Sequence, residues 1–241
     1  MTRIAVLSDI HGFNLAFDRV LADIDGQGPF DHIVVAGDLC EIGPGPRQVI
    51  DTIRSRGLAA IHGNTDIAIV EGARDGTEDP EVAFAIDRIG SDGVDFLADL
   101  PFSVRIPAPG GRSPDDDLLI VHATPYSLID RFDPEYSDSE LSDVVGPCVA
   151  GAIAFGHVHI CFQRRVGTTL LLDVSAVGNP KDGELRSTYG IVEWSDDEAR
   201  WSATLRRVDY PLEDTEEQLL ASGVPKAKKV LKKLKRASYR S

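Results

Sequence analysis

The sequence is short of sulfur and of long apolar runs. Its 241 residues include three cysteines, Cys40, Cys148 and Cys161, and a single methionine. Cysteines odd in number and widely spaced make no disulfide framework, and a reducing, cytoplasmic setting is the expectation. No stretch approaches the roughly 18–20 apolar residues of a membrane helix, which excludes a spanning protein. The apolar run at residues 4–7 is too short for the core of a signal peptide, and no small-residue cleavage site follows it. Repeats, low-complexity tracts and an evident linker are also absent. With 42% hydrophobic and 27% charged residues the chain can bury a core, and its length fits one ordinary α/β domain, expected to span residues 1–241.

Positive charge is scarce as well. Lys and Arg number 25 against 39 Asp and Glu, a net charge of −14. Residues 225–241 hold eight of the basic residues and no acid, which leaves 17 basic against 39 acidic groups before them, a net of −22. Such a body repels polyanions and anionic membrane surfaces, so general nucleic-acid or membrane binding is not expected. The basic tail, with Lys226, Lys228, Lys229, Lys232, Lys233, Lys235 and Arg236, has the composition of an RNA- or membrane-binding segment. Val230, Leu231 and Leu234 give it an apolar stripe at helical spacing. A helix at about 225–238, docked on its own acidic body or on a second copy in a homo-oligomer, is the expectation.

The first third alternates. Residues 3–8, 32–36 and 58–61 are apolar, strand-like runs, and residues 15–24 and 49–56 have helical spacing. This is the pattern of βαβ units and a parallel sheet. Further strands are expected at 103–106, 118–122, 152–155, 162–166, 169–174, 188–194 and 201–208. Their short connections suggest antiparallel pairing. A parallel first half and a meandering second half suggest two sheets face to face with helices outside.

Polar residues gather at the ends of these strands. Residues 3–8 lead into Asp9-Ile10-His11, residues 32–36 into Gly37-Asp38, and residues 58–61 into Gly63-Asn64-Thr65-Asp66. Residues 118–121 end at His122, and residues 152–155 at Gly156-His157-Val158-His159. Residues i and i+2 of an extended chain point to one side, and ligand crevices lie at C-terminal strand ends. Singly, each motif reads as a turn, a cap or a satisfied polar side chain. Together they supply two carboxylates, four imidazoles and one amide with no thiolate. That donor set suits Mn, Fe, Zn, Co or Mg rather than Cu(I) or an iron–sulfur cluster. Seven donors are too many for one small ion and enough for two.

The order D-x-H, G-D, G-N, H, G-H-x-H resembles the calcineurin-like metallophosphoesterase superfamily. His122-Ala123-Thr124-Pro125 and Val177-Gly178-Asn179-Pro180-Lys181-Asp182-Gly183 resemble its compact bacterial and archaeal phosphodiesterase branch. The resemblance covers nearly the whole chain and implies a four-layer αββα sandwich. It implies two divalent ions, manganese first, with iron, zinc, cobalt, nickel or magnesium as substitutes. Asp9, His11 and His159 would hold one ion, Asn64, His122 and His157 the other, and Asp38 would bridge them. The implied chemistry is in-line attack on phosphorus by a metal-bridging hydroxide, with Asn64, Asp66 and His122 as catalytic residues and Asn64 and Thr65 touching substrate. Two divalent ions against two carboxylates leave the pocket at about +2 within a strongly acidic body, which draws a small phosphate ester and not a long polyanion.

One departure matters. Many members of the family read G-N-H-[DE], with a His that serves the leaving oxygen, and this chain has Thr65. A Thr hydroxyl is a poor general acid, so a low-pKa leaving group and a phosphodiester are the expected substrate features. The alternatives are a phosphomonoesterase or nucleotide pyrophosphohydrolase and, from another class, a metal-free scaffold. Asp66 is read either as orienting a ligand or as a helix cap. His32 is read as structural, His62 as a less favoured substrate contact, and Arg47 and Lys181 as solvated.

Overall fold

The structure, a computed structural model, describes residues 2–238. The first sheet has the order β10-β9-β1-β2-β3. Its strands are β1 (Arg3–Leu7), β2 (His32–Ala36), β3 (Ala59–Ile61), β9 (Ser187–Ser195) and β10 (Arg200–Val208). The parallel trio β1, β2 and β3 is connected through α1 (Asn14–Gly26) and α2 (Pro46–Arg56), as the alternation of the first third predicts. The second sheet has the order β4-β5-β6-β8-β7. Its strands are β4 (Ser103–Ile106), β5 (Leu118–Val121), β6 (Ala152–Phe155), β7 (Phe162–Val166) and β8 (Thr169–Asp173).

Alternation along the strands divides the side chains between layers. Ile4, Val6, Val34, Ile120, Ala154 and Leu172 fill the space between the sheets. Their neighbours Ala5, Leu7 and Val35 face α1, α2 and α4 (Pro80–Ala98), whereas Leu119, Ile153 and Leu171 face α5 (Asp138–Val145) and the loops around it. The result is helix, sheet, sheet, helix. Trp194 and Trp201 are paired across β9 and β10 with ring centroids 5.3 Å apart, and Trp201 Nε1 donates to Asp116 O at 2.7 Å. Such a cross-strand aromatic pair contributes up to about 1 kcal/mol.

The expectation of antiparallel pairing through the second half is corrected. β5, β6 and β8 run parallel, and β4–β5, β7–β8 and β9–β10 are the antiparallel pairs. β9 and β10 do not extend the second sheet; β9 pairs antiparallel with β1. The physical reason lies in the connections. Residues 156–161 are not a hairpin turn: they carry two left-handed histidines over the sheet edge, so β8 returns between β6 and β7.

The basic tail forms α7 (Ala227–Arg236), packed on its own chain. Leu231 joins Leu219 of α6 (Leu212–Ala221) and Val224 in a small buried cluster against Phe84, and Leu234 enters the main helix-side core. Lys235 pairs with Glu216 at 2.6 Å and Lys226 with Glu81 at 3.3 Å. Among the described residues no helix is long and apolar enough to cross a membrane.

Candidate metal centre

The parallel strands of both sheets end at one edge, where the polar residues meet. Five of the seven expected ligands, Asp9, His11, Asp38, His157 and His159, have left-handed backbones with φ between 50° and 73°. Asp, Asn and His tolerate this region better than other side chains, yet it still costs about 1 kcal/mol or more per residue. Long-range hydrogen bonds hold the strained turns. Asp9 N donates to Gly37 O at 3.0 Å, His11 N to Asp38 O at 2.9 Å and Lys181 N to His159 O at 3.0 Å. Two glycines admit the carboxylates. A Cβ on Gly63 would overlap Asp38 Oδ1, and one on Gly156 would overlap Asp9 Oδ2.

Backbone carbonyls fix two tautomers. His122 Nδ1 lies 2.9 Å from Ala36 O and His159 Nδ1 lies 2.5 Å from Asn179 O. A carbonyl only accepts, so each Nδ1 carries a proton, and in the neutral ring each Nε2 presents a lone pair. His159 Nε2 then faces Asp9 Oδ1 at 3.1 Å and His11 Nε2 at 3.2 Å. His122 Nε2 faces Asn64 Oδ1 at 3.1 Å and Asp38 Oδ1 at 3.5 Å. His11 Nε2 is 3.6 Å from both Asp9 Oδ1 and Asp38 Oδ2. Acceptors thus face acceptors in a buried pocket, and Asp9 Oδ1 has no hydrogen-bond donor at all. A cation resolves that arrangement, and these donors fit one.

Two groups of donors lie within 4.8 Å: Asp9, His11 and His159, and Asp9, Asp38 and His122. Asp38 turns one oxygen to His11 and the other to His122, so both carboxylates stand between the halves. His157 is outside these groups. Its ring is 5.2 Å from that of His122, while its Nε2 lies 3.3 Å from Ile129 O.

Electrostatics follow from burial and neighbours. Burial pushes Asp9 up, but positive charge on the neighbouring rings of His159, His122 and His11, when they are protonated, outweighs it and holds its carboxyl below the usual range. Burial lowers His11 to about 4, which keeps it neutral and available as a ligand. Burial also lowers His157. Burial alone would lower His122 too; Asp38 and Asp9 overcome it and raise it.

Asp66 does not face the cluster. Its oxygens accept from Leu39 N and Gly63 N, each at 2.9 Å, and it is fully buried. It ties the turn of Asp38 to the turn of Asn64 and caps α3 (Asn64–Asp75), so its contact is with positioning backbone. Burial, then Asp38, raises it to about 7. Thr65 reaches Asp38 Oδ1 through its backbone N–H at 3.0 Å, while its hydroxyl is buried without a partner. His62 packs edge-on against Phe102, His32 is exposed, and Arg47 pairs with Asp51 and Asp92.

Sequence reasoning missed the carbonyls of Ala36 and Asn179, which no residue type advertises. It also gave no role to Ser175, whose hydroxyl donates to His159 O at 3.0 Å.

Residues 2–197 match the family model described as the calcineurin-like phosphoesterase superfamily domain. An uncharacterized protein of Methanocaldococcus jannaschii is 25% identical over 243 residues, covering 92% of this chain and 93% of its own length. The crystal structure of a metallophosphoesterase from Sphaerobacter thermophilus matches with a TM-score of 0.75 at 22% identity, over 98% of this chain and 99% of that one. A hypothetical protein from Pyrococcus horikoshii matches at 0.82 and 19%, over 97% and 98%.

Proposed function

The chain belongs to the calcineurin-like phosphoesterase superfamily, and from that premise we propose that it hydrolyses small phosphodiesters with two divalent cations, manganese first. The carrying observation is the set of imidazole Nε2 atoms aimed at buried carboxylate and amide oxygens, with their Nδ1 atoms held by backbone carbonyls. Asp9, His11 and His159 would hold one ion, Asn64, His122 and His157 would hold the other, and Asp38 would serve both. When bound, such ions supply an acidified water and positive charge for the phosphoryl oxygens.

The protein's own residues do the rest. Ala36 O and Asn179 O orient the rings of His122 and His159, and Asp66 fixes the spacing between Asp38 and Asn64. Asn64 turns its amide oxygen to the cluster, which leaves its NH₂ to donate to a phosphoryl oxygen. With the Thr65 hydroxyl buried and the usual His missing, no strong acid is assigned to the leaving group. The substrate is therefore a diester with a low-pKa leaving group before an alkyl monoester. The acidic body admits a small ester and disfavours a polyanion. A metal-free scaffold would leave Asp9 Oδ1 buried without a donor, a cost of about 1–3 kcal/mol or more, so the cation-binding reading is favoured.

The test is hydrolysis of bis-p-nitrophenyl phosphate by chelator-stripped protein, with and without added Mn(II), alongside the monoester. Metal-restored cleavage that favours the diester is expected. A folded protein that cleaves neither with any first-row metal would overturn the assignment.

A further inference from the structure

The basic helix α7 has no part in the reading above, yet one flank of it borders the metal centre. Lys229 and Lys233 lie four residues apart on α7 and share that flank, and Lys226 stands just before the helix begins. They wall a cavity of 80 Å³ together with Ile42, Glu81 and Asn179. Two of these walls belong to the frame of the metal centre. Asn179 O holds His159 Nδ1. Ile42 lies on the loop after Asp38 with φ 89°, a conformation a β-branched residue adopts only under constraint.

The charges there do not balance. Glu81 is matched by Lys226 at 3.3 Å. Lys229 and Lys233 have no carboxylate within ion-pair distance among the described residues. Lys181, in the turn after Asn179, is half-buried, close enough to Lys233 to feel its repulsion and to Asp9 and Asp38 to feel their attraction. Two ammonium groups without a carboxylate partner among the described residues, Lys229 and Lys233, therefore line this cavity, in a body with a large excess of acids. An anion between them removes the repulsion.

We propose that Lys229 and Lys233 form an anion subsite that receives a second phosphate group of the substrate. This rests on the phosphodiesterase reading and narrows its substrate class to diesters that carry a further, terminal phosphate. A cavity of 80 Å³ has the room of a few waters at about 30 Å³ each, enough for one oxyanion and not for a sugar or base. Lysine, a compact charge with three donors on a flexible stem, binds a phosphate as a point charge. Lys181, in the turn after Asn179, lines a separate cavity of 580 Å³ bordered by Val158, between His157 and His159. That space suits the organic part of such a substrate.

The test uses Mn-loaded full-length protein and a matched pair: thymidine p-nitrophenyl phosphate, with and without a second phosphate on the remaining sugar hydroxyl. The wild type should favour the phosphorylated member about tenfold in kcat/KM, and calorimetry should show thymidine bisphosphate binding about tenfold more tightly than the monophosphate. Both ratios should fall toward one in Lys229→Gln/Lys233→Gln. They should persist in Lys228→Gln/Lys232→Gln, which keeps the same helix and net charge loss. Equal ratios in the wild type, or ratios that survive in Lys229→Gln/Lys233→Gln, would overturn the subsite. Hydrolysis without a phosphate preference defeats the subsite alone. A binding preference with no hydrolysis of any ester upholds the subsite and defeats the phosphodiesterase reading.

Discussion

Gly156→Ala tests whether the glycines before the ligands make room for the opposing carboxylates. The added methyl would lie 2.6 Å from Ser8 Cβ and overlap both Ser8 Oγ and Asp9 Oδ2. Ser8 is fully buried, and its hydroxyl donates to Ala36 O at 3.0 Å. Asp9 Oδ2 accepts from His157 N at 2.9 Å, so neither neighbour can withdraw freely. Overpacking of this kind costs about 1–3 kcal/mol, or roughly 3–10 °C in melting temperature for a chain of this size. Displacing Asp9 also removes a donor shared by both ligand groups, so bound Mn(II) should fall. Gly26→Ala is the control. Its methyl would meet nothing within 4 Å at the end of α1, and it should stabilise by about 0.4–1 kcal/mol through the unfolded chain. The assay is thermal unfolding in chelator, followed by metal analysis after desalting from Mn(II). A Gly156→Ala protein as stable as the wild type, holding as much metal per chain, would refute the reasoning.

Asp38→Asn keeps an acceptor for Thr65 N but removes the charge between His11 and His122. It should lose the cation and with it the stabilisation by bound metal, about 2.7 kcal/mol at a hundredfold excess over Kd, read as a missing rise in melting temperature on adding Mn(II). Thr65→His restores an acid near the leaving group. It should raise turnover of alkyl esters by roughly 10²-fold and change p-nitrophenyl esters little, as parallel kinetics on the two would show. Glu41 is raised to about 7 by burial, then by Asp38, Asp79 and Glu81. A carboxyl with a raised folded value contributes stability fully present below its ordinary 4.5 and lost as pH rises through about 7. In chelator-treated protein Glu41→Gln should therefore gain over wild type at about pH 8 and not at about pH 4, by about 1 kcal/mol after allowance for partial exposure. Urea midpoints across pH decide it, and a pH-independent difference would count against it.

The candidate ligands were legible in the sequence because strand ends, period two and preceding glycines are local signals. Asp9, His11, Asp38, Asn64, His122 and His159 meet where those signals point, while His157 stands at the rim with Nε2 on Ile129 O. The pairing of β9 with β1, and the return of β8 between β6 and β7, depend on long-range closure that strand spacing does not encode. Lys181 read as solvated because its turn is covered by the end of α7, more than forty positions later, where Gly183 N donates to Ala237 O at 2.6 Å. The residue types at the site carry a second message. Five candidate ligands have left-handed backbones, a total strain of about 5 kcal/mol even at the low end of the range, comparable to the net stability of a small domain. Asp and His are the side chains that both ligate a cation and tolerate that conformation. A valine or leucine at any of these five turns would lose the ligand and deepen the strain together. Binding and backbone thus select the same residues, and a cation bound there would offset strain that the fold carries.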